Sequence, residues 1–281
     1  LEQLERPVVL SRRAQGPADL SGKATFLRWD AEREPAPRAG FDGVDTVFHL
    51  AGEPVAEGRW TQEKKRRIRD SRVIGTRNLV DGIAQCEQRP KTLVSASAVG
   101  YYGSRGDEIL TEDSAVGNDF LADVCAQWER EALRARELGI RVVCLRIGIV
   151  LGRDGGALKK MLPIFRLGLG GRLGNGQQWM PWVHLDDIVG LLLHGAKSEG
   201  LAGPINGVSP QPVTNREFTK VLAGALHRPA IFPVPVLALK VALGETAEIV
   251  LASQRVIPQV AQASQYTFRH SDLATALATC V

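Results

Sequence analysis

Cysteine is scarce in this chain of 281 residues, and the four present, Cys86, Cys125, Cys144 and Cys280, are widely scattered. No two stand at CxxC or metal-ligand spacing, so the sequence offers neither a disulfide framework nor a zinc motif. Long hydrophobic runs are missing as well. Every apolar patch falls short of the roughly 20 residues needed to cross a bilayer, and no cleavable signal opens the chain. A cytoplasmic protein without a membrane partner is the expectation. Charge is nearly balanced, 35 Lys and Arg against 31 Asp and Glu. The net +4 mildly favours small anions and makes no case for nucleic acid. Repeats at solenoid periods are absent, and no GxSxG elbow with His and acid partners supports hydrolase chemistry. With 44% hydrophobic and 23% charged residues the chain is not a disordered one.

What is present is an alternation. Val8-Val9-Leu10, Ala24–Trp29, Asp45–Gly52, Thr92–Ser97 and Ile140–Leu151 read as strands. Between them, Thr61–Ile83 and Phe120–Leu138 place apolar residues at helical spacing. Strands alternating with helices of this length predict right-handed βαβ units and a mostly parallel, covered sheet. The fold class is therefore α/β, a Rossmann-like doubly wound parallel sheet with a smaller mixed C-terminal substrate lobe. Its expected divisions are a dinucleotide-binding body over 1–155, lobe elements over 156–234 and a small helical extension over 235–281. Pro258 is expected to break or bend that last section.

A doubly wound sheet opens on a strand, a glycine-rich turn and a helix whose N-terminus holds pyrophosphate. Here Leu1-Glu2-Gln3-Leu4-Glu5 reads as the tail of a helix leading at once into a strand. The expectation is that about two dozen residues, the missing half of a βαβ unit, precede Leu1.

Candidate site residues cluster at the predicted strand ends. Ser11-Arg12-Arg13 closes the first strand, with two arginines and no acid. An acid there would suit a ribose 2'-hydroxyl and an arginine a 2'-phosphate, so NADP(H) is preferred, with NAD(H) left open. Asp30 follows the second strand, beside an adenine or in a surface turn. Leu50, Ala51, Gly52 and Glu53 end the third, where small residues let backbone approach a flat ligand. His49 lies within that apolar strand and its neighbours account for it as core. Ser95-Ala96-Ser97 then leads to Tyr101, Tyr102 and Gly103, putting hydroxyls where ligands bind. A tyrosine passes a proton only when something lowers its pKa from about 10. Trp179 and Trp182 either wall a substrate pocket or pack the lobe, and Arg166 either meets an acidic substrate or is solvated. Asp186 and Asp187 read as the N-cap of a helix. His184 beside them lacks partners at ligand spacing, so no metal is expected.

In order and spacing these segments resemble the extended short-chain dehydrogenase/reductase superfamily. They are most similar to its NAD(P)-dependent epimerase/dehydratase-like branch, the YfcH-like epimerase family proteins. The stretches carrying the resemblance are Asp45–Pro54, Ser95–Gly103, Leu145–Gly152, Met161–Gly171, Trp182–Asp187, Gly203–Val208 and, in a C-terminal extension special to this branch, Gln254–Pro258. The resemblance implies a dinucleotide along the sheet edge, with Ser11, Arg12 and Arg13 at its adenosine end and Leu50–Gly52 along its middle. It places Ile147, Gly148 and Ile149 near the nicotinamide. Ser97, or alternatively Ser95, would be the catalytic serine. The superfamily's Tyr and Lys, four residues apart on the following helix, fall on Leu121 and Cys125, which can do neither job. Its usual asparagine falls on Arg72. Tyr101 or Tyr102 would then move the proton, with Arg72 supplying charge. Trp179, Trp182, Arg166 and His184 would meet a small-molecule substrate, and a homodimer is compatible with the resemblance. The expected function is an NADP(H)-binding oxidoreductase or nucleotide-sugar-epimerase-like enzyme with non-standard catalytic residues. The alternative is a dinucleotide-binding sensor or scaffold with little or no turnover.

Overall fold

A computed structural model describes residues 7–13, 15–20 and 22–281; the expected helix tail Leu1–Glu5 lies outside them. Three short strands come first, β1 (Val8–Ser11), β2 (Thr25–Arg28) and β3 (Thr46–His49). Helix α1 (Gln62–Ala84) starts where the Thr61 side chain accepts from Lys64 N, and it buries Ile68, Val73, Leu79, Val80 and Ile83 along one stripe. β4 (Thr92–Ala98) and β6 (Arg141–Ile147) are buried along most of their lengths, as central parallel strands must be. Between them lie the short β5 (Ile109–Leu110) and α2 (Phe120–Leu133). The Asp119 carboxylate caps α2 by accepting from Ala122 N, and Gly139 stops the tail of the helix at φ 80°.

The strand predicted over Ile140–Leu151 is two strands, because Gly148 separates β6 from β7 (Ile149–Leu151). A Cβ at Gly148 would stand 2.1 Å from Pro181 O and 2.9 Å from Val208 Cγ1, so only glycine fits that crossing. Next come α3 (Gly156–Arg166), β8 (Trp179–Met180), β9 (Trp182–His184), α4 (Leu185–Lys197) and β10 (Gly203–Gly207). β11 (Val213–Thr214) runs into α5 (Asn215–Ala225), which opens on a Thr214–Glu217 capping box. The C-terminal section is less helical than its composition suggests. It holds α6 (Val236–Leu243), α7 (Ala247–Leu251), β12 (Arg255–Val256), α8 (Gln259–Ala263) and α9 (Leu273–Ala278). Pro258 breaks no helix; it sits at the start of α8, where its missing N–H costs nothing. The apolar α6 buries none of its residues.

The main sheet has the order β10-β6-β4-β3, all parallel, while β1 and β2 form a separate parallel pair. Alternate residues of β4 and β6 face opposite layers. Leu93, Val142 and Cys144 pack with α1 and the end of α2, in a cluster that Leu10 and Val47 join. Val94, Val143 and Leu145 pack with Ile188, Leu191 and Leu192 of α4. Helices thus cover both faces, as the doubly wound reading requires. Small accessory sheets, β7 with β9, β8 with β11 and β5 with β12, build the C-terminal lobe. Among the described residues no helix is long and apolar enough to cross a membrane.

Candidate active site

Ligands of open parallel sheets bind beyond the carboxyl ends of the strands. At the end of β3, Leu50, Ala51 and Gly52 are exposed. The next residue is tied down: Glu53 N donates to Ser71 Oγ, and Lys64 Nζ lies 2.7 Å from Glu53 Oε1. That lysine's hydrogen bond holds the Glu53 carboxyl below its ordinary pKa. Arg72 Nη1 donates to Glu53 O (3.0 Å) and Ile68 O (3.1 Å), and its guanidinium lies over Trp128, 5.0 Å from the ring centre. A Cβ on Gly52 would sit 3.1 Å from Arg72 Cζ. The smallness of Gly52 thus makes room for a protein cation behind the exposed strand end.

The turn after β4 departs most from expectation. Ser97, Arg146 and Asn206 occupy matching positions on β4, β6 and β10, so all three point to the layer holding α2. Ser97 Oγ donates to Glu129 Oε1 (2.6 Å), and Arg146 clamps the same carboxylate through Nε and Nη2, each at 2.8 Å. Arg146 Nη1 also donates to Tyr102 Oη (3.0 Å), which donates in turn to Asn206 Oδ1 (2.6 Å). Glu112 closes the chain by accepting from Asn206 N and Val260 N. Every member is buried. Burial pushes the Tyr102 hydroxyl up to about 12, outweighing the neighbouring Arg146.

Two expectations are corrected here. Ser97 is committed to Glu129, and Tyr102 is sealed in the interior with both hydrogen-bonding roles filled; neither faces the sheet mouth. Ser95 and Ala96 are likewise within the sheet, with the Ser95 hydroxyl turned onto Ala96 O.

The mouth is lined instead by residues around Gly100. A Cβ there would stand 3.3 Å from Leu121 Cβ and 3.8 Å from Cys125 Sγ. Leu121 and Cys125 therefore flank the turn after β4. Burial pushes the Cys125 thiol up to about 12, so it stays protonated, and the Arg72 charge acts on it. Tyr101 remains half-buried, its ring 3.5 Å from Arg146 Cζ and edge-on to Tyr102. Its hydroxyl makes no hydrogen bond among the described residues. His49, fully buried, bonds Thr76 Oγ1 through Nε2 and is pushed down to about 4 by burial, so it is a neutral core residue.

At the other strand ends, Arg12 and Arg13 are exposed, and Ser11 Oγ holds their turn by donating to Arg13 O (2.6 Å). Asp30 caps its own turn, accepting from Glu32 N and pairing with Arg33. Ile147 and Ile149 are half-buried, and Gly148 approaches Pro181 O rather than open space.

The residues expected to meet substrate do not converge. Trp182 is 1% exposed and belongs to the lobe core. Trp179 lies beside the turn after β4, donating to Asp107 and stacked by Arg255. Arg166 lies on exposed α3 surface near Arg153, Lys159 and Cys280. His184, not the aspartates, caps α4, its Nδ1 accepting from Asp186 N. Burial, then the adjacent His270 ring, hold His184 below the ordinary imidazole value. Sequence reasoning missed Glu129, Glu112 and Asn206. The available signal was Arg146, a charge inside an apolar strand that must find a buried partner.

The model of the NAD dependent epimerase/dehydratase family matches residues 1–204. The chain belongs to that family. A second match, to a domain of unknown function (DUF1731), covers 234–280. This epimerase/dehydratase-family chain is 44% identical over 237 residues to the chloroplastic SDR39U1 homologue of Arabidopsis thaliana, an epimerase family protein, covering 84% of this chain and 68% of that one. It is 36% identical over 274 residues to epimerase family protein YfhF of Bacillus subtilis, 97% of this chain and 89% of that one. Among solved structures it is similar to human epimerase family protein SDR39U1 (isoform 2), crystallised with NADPH, at TM-score 0.84 and 32% identity, covering 96% and 89% of the two chains.

Proposed function

We propose that this chain is an NADP(H)-dependent oxidoreductase acting on a carbonyl or alcohol of a small molecule, with Tyr101 in place of the superfamily's helix tyrosine. The observation carrying this reading is the pairing at the mouth. Leu121 and Cys125, beside the turn after β4, are chemically silent; of the two tyrosines in that turn, Tyr102 is committed to Asn206 and Arg146, while the Tyr101 hydroxyl makes no hydrogen bond among the described residues. The residues present fit a dinucleotide. Arg12 and Arg13 are exposed at the end of β1, and the side-chain-poor Ala51-Gly52 is exposed at the end of β3. Arg12 and Arg13 would hold a 2'-phosphate, and Ala51-Gly52 would let the ligand lie against backbone. When bound, the cofactor supplies or accepts a hydride. The Arg146 guanidinium keeps the Tyr101 ring in place by cation–π attraction, and Tyr101 Oη gives its proton to, or takes one from, the substrate oxygen. Arg72, half-buried behind Gly52, contributes a positive charge that reaches Cys125 without spending a side chain of α2.

A second reading, binding without turnover, is favoured by the sealing of Ser97 and Tyr102 inside the core. The two are separated by titrating the protein with NADPH and NADH, then following nicotinamide absorbance over a panel of aldehydes and ketones. The proposal expects Arg12→Ala to weaken NADPH about tenfold, roughly 1.4 kcal/mol, and to leave NADH unchanged. It also expects Tyr101→Phe to abolish turnover while cofactor affinity stays at the parent value. Tight NADPH binding with no oxidation by any carbonyl favours the second reading, and full turnover in Tyr101→Phe refutes the first.

A further inference from the structure

The sequence offers His184 no metal-ligating partner at suitable spacing; the fold supplies one from the other end of the chain. His184, Asp186 and His270 bring ligating atoms within 4.8 Å of one another. We infer that these three side chains form a binding site for a divalent transition metal, with zinc as the natural occupant.

The distances suit that ion. Zinc bonds of roughly 2.0–2.2 Å in a tetrahedral shell set donor atoms about 3.3–3.5 Å apart. Asp186 Oδ2 stands 3.2 Å from His270 Nε2 and 3.5 Å from His184 Nδ1. The protonation pattern agrees. The Thr279 hydroxyl donates to Ala276 O (2.7 Å), so at 3.1 Å from His184 Nε2 it can only accept. That fixes the proton of His184 on Nε2 and leaves the Nδ1 lone pair towards the Asp186 carboxylate. There Nδ1 accepts the Asp186 N–H (3.1 Å) and stands 3.5 Å from the carboxylate, so both acceptors lie on one side, open to an entering cation. The Thr279 contact is also the outer hydrogen bond by which metal-binding imidazoles are usually oriented.

The third ligand is placed by construction. Asp187, fully buried, accepts from Arg269 N (2.8 Å) and His270 N (3.0 Å), and the Tyr266 hydroxyl donates to it as well. These bonds hold segment 266–270 so that the His270 ring lies over His184, ring centres 3.8 Å apart. Two imidazoles and one carboxylate favour zinc and its transition-metal neighbours over magnesium or calcium, which prefer all-oxygen shells. Asp186 is half exposed, leaving an approach and a fourth position for water. The ion would displace the Asp186 N–H from Nδ1, exchanging one cap hydrogen bond for a coordinate bond. It would pin the C-terminal extension to the start of α4.

The test uses untagged protein freed of metal with a chelator, then titrated with Zn2+ in competition with a chromophoric indicator. The expected result is one ion per chain with micromolar or tighter affinity. Asp186→Asn and His270→Gln should each weaken it at least tenfold. Co2+ in place of Zn2+ should give the visible absorption of a tetrahedral centre, lost in both variants. NADPH affinity and far-ultraviolet circular dichroism, unchanged in both variants, establish that they are folded. Cys86→Ser, at the one cysteine that is not buried, should bind as the parent does. Absence of saturable binding, or parental affinity in either folded variant, overturns the assignment.

Discussion

Replacing Tyr102 by Phe removes one oxygen from the interior and nothing from the proposed proton path. That oxygen accepts from Arg146 Nη1 and donates to Asn206 Oδ1. After the change Arg146 Nη1 still reaches Glu112 O at 3.1 Å, and its Nε and Nη2 keep Glu129. Asn206 Oδ1 loses its donor outright, while Asn206 Nδ2 keeps Ile257 O. The loss is one charge-assisted hydrogen bond and one buried acceptor left bare, partly offset by easier burial of a phenyl ring. We expect a destabilisation of about 2 kcal/mol, which for a domain of this size lowers Tm by roughly 4–8 °C. The chevron or urea midpoint should fall with an unchanged m-value. Tyr101→Phe, by contrast, removes a hydroxyl with no hydrogen-bond partner among the described residues and should leave the unfolding free energy within about 0.5 kcal/mol of the parent. Any measured turnover should follow the opposite order, surviving Tyr102→Phe and vanishing in Tyr101→Phe. Parental Tm in Tyr102→Phe, or a loss of turnover there without loss of stability, would refute the division of labour between the two rings.

Two further outcomes follow from close contacts and from burial. Gly148→Ala drives a methyl to 2.1 Å from the Pro181 carbonyl, so β6, β7 or the Pro181 segment must shift; a cost of about 3 kcal/mol should appear as a lower urea midpoint, and an unchanged midpoint would show that the crossing is looser than described. His49 is pushed down to about 4 from 6.5 by burial, so between those values the unfolded chain binds a proton that the folded one does not. Stability should therefore fall as pH drops from about 6.5 towards 4, by up to roughly 3 kcal/mol. His49→Gln should flatten that part of the stability curve, and an identical slope in the variant would remove His49 as its source.

The alternation of strands and helices was legible because hydrophobic period and turn residues act locally. Strands β1, β3 and β4 and the helices after β3 and β4 fall within a few residues of where the sequence puts them. What was not legible is which of several like residues points inward. Tyr101 and Tyr102 are adjacent in a single tight turn and meet edge-on, ring centres 5.4 Å apart, and nothing local in the sequence says which of them reaches Asn206. Trp179 and Trp182 differ in burial, one half-buried and bonded to Asp107, the other fully in the lobe core. Ser97 looked catalytic by its position near the end of β4. The strand parity that makes it a neighbour of Arg146 also aims it at Glu129, one helical turn beyond Cys125. Contacts across long stretches of chain, such as His184 with His270, carry no local signal at all.

The substitutions at the mouth make sense only as a set. A lysine at position 125 would set an ammonium in fully buried surroundings whose nearest carboxylate, Glu129, is already clamped by Arg146 and which also feel the Arg72 charge. Two cations cannot share such a site cheaply, since each loses hydration and neither neutralises the other. Arg72 and Cys125 are therefore mutually dependent: the arginine brings the positive charge, and the thiol accepts its company because it stays neutral. Restoring the superfamily lysine alone, as Cys125→Lys, should not restore chemistry. It should destabilise the fold by about 3 kcal/mol or more, whereas Arg72→Asn with Cys125→Lys should recover much of that loss. A double-mutant cycle on unfolding free energies measures the coupling directly. Additive losses would mean that the two side chains do not sense one another, and the positive charge proposed beside Gly52 would need another source.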